Sequence, residues 1–286
     1  MYNNGELKDS IDGGIKMRKI GINFSLKREL DMDAALAKIA ALGFDCIFTG
    51  MPPIKQIPKL RAAVEANGLI WESIHAPFGH MNDMWLDGEA GEIMLRELLN
   101  CVDCCVLCGV KITVVHLSSG DNAPPVTDIG RRRFTELVEY AAAKGVMVAF
   151  ENQRKLANLA WSMETFGPDT NVGFCWDCGH ESCFTPGREY MPIFGKRLIC
   201  THIHDNHGIY NGDDHMLPFD AKMDFERVAR QIRESGYEGT LMLEVGPGAH
   251  EVYQNLTWEE FFERAAVAVK RLRDMVDGPS ENEKNN

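Results

Sequence analysis

The stretch ICTHIHDNHGIYNGDDH, residues 199–215, decides how the rest of the chain is interpreted. It begins as a short apolar run that predicts a buried strand, and from His202 onward it is dominated by His, Asp and Asn. A turn accounts for Asp and Asn, but it does not account for four His within fourteen residues. Imidazole is the commonest metal ligand in proteins, and neighbouring carboxylates suit Mg²⁺, Mn²⁺ or Zn²⁺. The stretch therefore predicts a ligand-binding loop directly after a core strand.

Strand-like runs alternate with helical patterns along the whole chain. The strand-like runs are residues 18–24, 44–50, 69–77, 111–120, 146–152, 171–180, 197–205 and 239–245. The helical patterns cover residues 31–43, 54–68, 88–108, 127–144, 155–166, 225–236 and 257–276, and the segment after the sixth strand has poor periodicity. Runs that are apolar on both faces are typical of a parallel sheet. Eight units without a glycine-rich dinucleotide-binding turn favour one closed (β/α)8 barrel over residues 18–276, and not an open doubly wound sheet.

Composition narrows the class of protein. The net charge of −12 argues against a nucleic-acid partner, and no apolar run approaches the roughly 20 residues of a membrane span. Residues 1–17 are polar and lack the apolar segment of a signal peptide, so we expect a flexible N-terminal extension. Residues 277–286 have the composition of a disordered tail. Nine Cys without a secretion signal indicate a reducing, cytoplasmic location.

Four of the Cys fall in CVDCCVLC, residues 101–108. One interpretation is a metal or iron–sulfur cluster. The other is one face of a helix, because the offsets 0, 3, 4 and 7 are those of a core stripe. We favour the helix face, because free Cys packs as a small hydrophobe and cluster ligands usually come from loops.

Metal-ligand and proton-transfer side chains stand at the ends of six consecutive predicted strands. They are His75, His116, Glu151, Asp177 followed by His180, His202 with His204, and Glu244, and the loop after the seventh strand adds Asp213 and His215. Each alone fits a loop hydrogen bond, an ion pair or a helix cap. Together they meet at the carboxyl end of a barrel, where burying several carboxylates without a cation is unfavourable. The pattern therefore predicts a divalent metal site.

Four of these residues are the predicted ligands, because they occupy matching depths at the ends of strands five to eight: Glu151, Asp177, His202 and Glu244. Three carboxylates and one imidazole suit Mn²⁺, Mg²⁺ or Co²⁺, with Zn²⁺ as a further option. The surrounding polar wall would consist of His75, His116, His180 and His215.

The motifs SIHAP, VVHL, AFEN, DCGH, THIHDN, DDH and LMLEV resemble the xylose isomerase-like TIM-barrel superfamily, over residues 18 to about 270. Its sugar isomerases and epimerases, including the ketose 3-epimerases, imply one divalent ion on the four ligands just given. The resemblance further implies that Glu151 and Glu244 exchange a proton with the carbon beside a sugar carbonyl, through an enediolate. Substrate contacts are expected from His75, His116, His180, His204, Asp213 and His215, and the substrate would be a sugar or a sugar phosphate.

Two departures from the epimerase pattern concern the substrate. Residues 205–221 contain no Arg or Lys, and LPFDAKMDF replaces a glycine-rich turn at residues 217–225. We expect a small carbohydrate as partner, no membrane, and homo-oligomers as an option. The segment 82–85 is interpreted either as a lid over the barrel mouth or as a subunit contact.

Endonuclease IV belongs to the same superfamily and is the main alternative. Its three zinc ions would require nine ligands, and residues matching all nine are present: His75, His116, Glu151, Asp177, His180, His202, Asp213, His215 and Glu244. The acidic composition opposes a phosphodiesterase that grips abasic DNA. A dehydratase and a non-catalytic sugar-binding module are further alternatives.

Overall fold

The structure is a computed structural model, and it describes residues 11–12, 15–25 and 30–278. Two short strands, Ile11–Asp12 and Ile15–Lys16, pair in antiparallel fashion ahead of the main domain. The rest of the predicted flexible extension, residues 1–10 and 13–14, and residues 279–286 of the predicted tail lie outside the described residues.

Eight parallel strands form a nearly closed barrel. They are β1 (Ile20–Asn23), β2 (Cys46–Gly50), β3 (Ile70–His75), β4 (Ile112–His116), β5 (Met147–Glu151), β6 (Val172–Asp177), β7 (Leu198–His202) and β8 (Leu241–Leu243). Consecutive strands pair from β1 to β7, and β8 returns to pair with β1. The seam between β7 and β8 is joined by a bridge from Ile203 to Leu243, with the N–H of Glu244 donating to the carbonyl of Ile203 over 3.0 Å. The predicted single (β/α)8 barrel is confirmed.

Helices surround the barrel. In the described residues they are α1 (Met32–Ala41), α2 (Ile57–Ala66), α3 (Glu89–Cys108), α4 (Asp128–Ala143), α5 (Leu156–Thr165), α6 (Cys178–Phe184), α7 (Met191–Phe194), α8 (Phe225–Ser235) and α9 (Trp258–Asp277). Some helices begin where a side chain accepts hydrogen bonds from the free N–H groups of the first turn. Asp31 does this for α1, and Thr257 forms a capping box with Glu260 at the start of α9. The helices α6 and α7 are new relative to the sequence analysis, because seven and four residues are too short for a visible periodicity.

Trp85, in the segment 82–85, packs in the core and is not available as a subunit contact. Trp85 is only 1 % exposed, and its ring packs against Phe134 at 4.8 Å between centroids. Its Nε1–H donates to the carbonyl of Leu117 over 2.5 Å. Gly130 on α4 leaves the room for this ring, since a Cβ there would collide with Trp85. The expected subunit contact through Trp85 is wrong, because an indole whose N–H has a hydrogen-bond partner can be buried completely.

The four Cys of residues 101–108 are buried on α3 and belong to the main hydrophobic core, in agreement with the helix-face interpretation. All nine Cys of the chain are free thiols. Among the described helices, none combines the length and the apolar character that crossing a bilayer requires.

Candidate functional site

Six predicted site residues stand at the carboxyl end of the barrel. Glu244 directly follows β8. The others are the last residues of their strands: His75, His116, Glu151, Asp177 and His202. His180 lies in the first turn of α6, where its N–H donates to Oδ1 of Asp177 over 2.6 Å. Parallel strands bring all of these side chains to one mouth.

The expectation of equal depth holds for only part of the predicted ligand set. The strand register pairs Asp177 with His202, but it pairs Glu151 with Cys175, two residues before Asp177. Strands of a closed barrel are staggered, so the last residues of neighbouring strands need not lie at one height. Asp177 therefore extends further along the mouth than Glu151.

The carboxylate of Glu151 is the centre of the site, and its side chain is completely buried. Its Oε2 lies 3.3 Å from Nε2 of His75, 3.3 Å from Nε2 of His116 and 3.4 Å from Nδ1 of His202. The same nitrogen of His202 lies 3.1 Å from Oε2 of Glu244. Glu151, His202 and Glu244 are thus brought together, with two further imidazoles against Glu151.

Asp177 belongs to a neighbouring group around Asp213. Oδ1 of Asp177 lies 3.1 Å from Nε2 of His204, which is 3.5 Å from Oδ1 of Asp213. Oδ2 of Asp213 lies 3.2 Å from Nε2 of His215 and 3.4 Å from Nε2 of His180. His180 joins the two groups, because its Nδ1 is 2.9 Å from Oε1 of Glu151 and 3.6 Å from Oδ2 of Asp177.

These contacts are close, yet many of them are not aligned as hydrogen bonds. Several buried polar atoms of the site have no hydrogen-bond partner in the part of the chain that the structure describes. They are both carboxylate oxygens of Glu151, Oδ2 of Asp177, both ring nitrogens of His202 and His204, Oδ1 of Asp213 and Oε2 of Glu244. Buried polar atoms in proteins are normally paired, and residues of this site form groups that could hold a metal ion. Donor atoms about 3 Å apart fit ligands that share one ion at bond lengths of about 2.0–2.2 Å.

The electrostatics of the site also call for positive charge. Burial raises the pKa of Glu151, but the charges of His116 and His202 outweigh burial and hold that pKa well below its usual range. Burial lowers the pKa of His202, yet the carboxylates of Glu244 and Glu151 bring it well above the usual value. For His215, a hydrogen bond with Asp213 overcomes burial and raises the pKa to about 10. A bound divalent ion would supply this positive charge in place of protons.

A cavity of about 500 Å³ opens beside the site, and both Glu244 and His75 line it. This volume lies within the range of pockets that take small-molecule ligands. Glu151 is not part of the lining, and its side chain is completely buried, with His75 and His116 each 3.3 Å from Oε2. The wall further includes Asn23, Phe48, Met51, Gln56 and Phe78.

Two residues that orient the site were missed from the sequence. The side chain of Asn152 accepts from the N–H and donates to the carbonyl of Asp177, both over 2.8 Å, and so ties β5 to β6. Nε2 of the Gln153 amide lies 3.3 Å from Nε2 of His116 and 3.1 Å from Nδ1 of His180. Both residues directly follow Glu151 in the sequence, and this position could have identified them as site residues.

The glycine of the DCGH motif has a steric role. Gly179 lies against the ring of His204, and a Cβ at this position would collide with the imidazole. The motif therefore combines a helix cap from Asp177, space for His204 and the ligand-type side chain of His180.

The loop without Arg or Lys, residues 205–221, is held by contacts of its own Asp205 and by an Arg from another loop. Asp205 is fully buried and accepts the N–H of Ala221 over 2.8 Å and of Met223 over 3.0 Å. Arg154, in the loop after β5, donates to Oδ1 of Asn211 over 2.7 Å. The positive charge of a guanidinium therefore reaches this loop, but Arg154 comes from a different part of the chain.

Comparison with known proteins agrees with this architecture. The uncharacterized protein y4fM of Sinorhizobium fredii is 29 % identical over 195 residues, which is 63 % of this chain and 60 % of that protein. Among solved structures, a D-tagatose 3-epimerase-like protein superposes with a TM-score of 0.72 at 19 % identity, covering 94 % of this chain and 100 % of that one. D-psicose 3-epimerase of Clostridium cellulolyticum H10 superposes with a TM-score of 0.69 at 16 % identity, covering 90 % and 99 %. At these identities the structural likeness establishes the fold.

The model of one protein family, described as xylose isomerase-like TIM barrel, matches residues 36–260. The match includes every strand-end residue of the site from His75 to Glu244. This chain belongs to the xylose isomerase-like TIM-barrel family.

Proposed function

We propose that the protein is a divalent-metal-dependent isomerase or epimerase that acts on a sugar. The observation that carries the proposal is the group of unpaired buried atoms on Glu151, His202 and Glu244, at the wall of a cavity of about 500 Å³. The likeness to ketose 3-epimerases supports it, since these proteins have the same fold.

Glu151, His202 and Glu244 would hold the ion. Asp177, the fourth ligand predicted from the sequence, contacts His204 and His180 in this structure and would have to turn toward the ion to bind it. When bound, a divalent ion in such a site polarises a carbonyl group and acidifies the neighbouring C–H. The oxygen-rich donor set suits Mn²⁺, Mg²⁺ or Co²⁺, and Zn²⁺ is also compatible with it.

Glu244 and Glu151 would exchange protons with the substrate. Glu244 lines the cavity and removes a proton from the carbon beside the carbonyl, which gives an enediolate. Glu151 contacts the same nitrogen of His202, at 3.4 Å. By analogy with the ketose 3-epimerases, it would return a proton to the opposite face of the sugar, although in this structure its carboxylate is buried and lies outside the cavity lining. His75 also lines the cavity and would contact substrate hydroxyls, while Phe48 and Phe78 provide apolar surface for the C–H faces of the ring.

The test is exchange of substrate hydrogen with heavy water. Metal-loaded protein is incubated in ²H₂O with a panel of ketoses and ketose phosphates, and deuterium in the recovered sugar is measured by mass spectrometry. Glu244→Gln should lower the exchange rate by about 100- to 10,000-fold. Glu164→Gln, an exposed residue near the end of α5, is the matched control and should retain the rate. Absence of exchange with every sugar would contradict the proposal.

A second candidate is an endonuclease IV-like phosphodiesterase with three zinc ions. It is favoured by two additional groups that could hold an ion, namely His75 with His116 and Glu151, and His204 with Asp213 and His215. The net charge of −12 opposes binding to a phosphate backbone. Binding of three zinc ions together with cleavage of an abasic duplex would favour the nuclease, whereas a single ion with sugar exchange would favour the isomerase.

The nine free thiols support a reducing, cytoplasmic location for this activity. Assembly into homo-oligomers stays a prediction.

A further inference from the structure

A second cluster of metal-ligand side chains lies outside the site described above. His207 and Asp214 come from the loop after β7, and His250 comes from the loop after β8. Nδ1 of His207 lies 2.9 Å from Oδ2 of Asp214, and the rings of His207 and His250 are 6.0 Å apart between centroids. One donor atom from each of the three residues lies within 4.8 Å of the other two.

The cluster is separate from the main site although it shares a chain segment with it. Asp213 and His215 contact each other and face His204, whereas Asp214, between them, contacts His207. The N–H of His207 also donates to Oδ2 of Asp214 over 3.0 Å, so the carboxylate is fixed in position. The DDH motif therefore presents side chains to two clusters, although its sequence predicted a role only for Asp213 and His215.

The chemistry of the cluster suits a borderline-soft cation. Two imidazoles and one carboxylate are a common donor set for Zn²⁺. The side chains of His207 and Asp214 are 36 % and 21 % exposed, so an ion can enter from solvent and keep water as a further ligand. A separation of 2.9 Å between Nδ1 and Oδ2 also fits two donors on one ion with bonds of about 2.0–2.2 Å.

The ring of His250 is held weakly in its present orientation. Its Nδ1 accepts the N–H of Val252 over 3.3 Å, a long hydrogen bond at the start of the Glu251–Tyr253 turn. An ion that binds a nitrogen of this ring therefore replaces only this weak hydrogen bond.

We propose that His207, Asp214 and His250 form a second site for Zn²⁺ that clasps the loops after β7 and β8. These two loops deliver Asp213, His215 and Glu244 to the main site. A bound ion would therefore hold the wall of the barrel mouth in place from outside, in addition to the ion of the main site.

The full-length protein, stripped with chelator, is titrated with Zn²⁺ by calorimetry, and hydrogen–deuterium exchange is followed in residues 205–215 and 246–254. His250→Gln should bind one zinc equivalent fewer than wild type and should lose the zinc-dependent protection of both loops. His207→Gln, from the other loop, should do the same. His80→Gln is the matched control, because the side chain of His80 is 79 % exposed and pairs with Asp83.

A main-site variant separates this proposal from the proposed function. His202→Gln should weaken the main site and should keep the zinc equivalent and the loop protection that depend on His250. The proposal is overturned if His250→Gln and wild type bind zinc with equal stoichiometry and affinity. It is also overturned if His202→Gln abolishes zinc binding altogether.

Discussion

His202 and Glu244 face each other across the seam where the barrel closes, with Nδ1 of His202 3.1 Å from Oε2 of Glu244. The strands that carry them, β7 and β8, are joined by the bridge from Ile203 to Leu243. Closure of the sheet and assembly of the site are therefore the same structural event. A ligand set that spans the seam should stabilise the barrel when an ion binds, because the ion binds the folded state alone.

Replacement of His202 tests this ligand set. His202→Gln removes the imidazole that lies between Glu151 and Glu244. We expect the dissociation constant for Mn²⁺ to rise roughly 100-fold or more. Loss of a residue that only hydrogen-bonds to a metal ligand already lowers metal affinity about 10- to 100-fold. Calorimetric titration of the chelator-treated protein with Mn²⁺ measures this dissociation constant. Unchanged Mn²⁺ affinity would exclude His202 as a ligand, and His80→Gln provides the exposed-histidine control.

The steric role of Gly179 gives a stability prediction. Gly179→Ala places a methyl group against the ring of His204, and overpacking of this kind costs about 1–3 kcal/mol. Urea denaturation of the metal-free protein measures the free energy of unfolding. Gly167→Ala is the control, because a Cβ at Gly167 meets no atom of the described chain within 4 Å. Equal losses in the two variants would refute the steric explanation.

Gln153 is predicted to be a positioning residue. Gln153→Ala removes the donor that contacts both His116 and His180, and we expect kcat to fall about 10- to 100-fold with little change in Tm. The measurement is the deuterium-exchange rate at saturating sugar, with Gln254→Ala at an exposed position as control. A fall in Tm that matches the loss of activity would point to a structural role instead.

Arg133 is predicted to organise the segment between β3 and α3. Its guanidinium is buried, donates to the carbonyls of Asp83 over 2.9 Å and Leu86 over 2.6 Å, and pairs with Glu92. Arg133→Ala leaves the carbonyls of Asp83 and Leu86 without this donor, whereas Glu92 keeps Arg132 as a partner. The change should lower the free energy of unfolding by at least about 1–3 kcal/mol.

Arg132→Ala is the matched control for this change. Arg132 pairs with the same oxygen of Glu92 over 2.7 Å, but its side chain is 53 % exposed. Its loss should therefore cost less than about 1 kcal/mol. Similar losses of unfolding free energy in the two variants would show that the buried contacts of Arg133 contribute little to stability.

The sequence alone determined the element order and most of the residues at the barrel mouth. Strand and helix periodicity are local properties, so the strand-end positions of His75, His116, Glu151 and Asp177 were predicted correctly. The parallel arrangement then required these residues to share one end of the barrel. Helix α6 escaped prediction because its seven residues carry too little periodic signal.

Tertiary structure alone decided which side chains meet. Asp177 is staggered by two residues relative to Glu151 and has His204 and His180 as neighbours. His202, which is paired with Asp177 in register, nevertheless meets Glu151 and Glu244. Stagger follows from closing the whole sheet, and no local pattern encodes it. The meeting of His207 and Asp214 with His250 likewise depends on how two separate loops fold against each other, and a linear spacing does not contain that information.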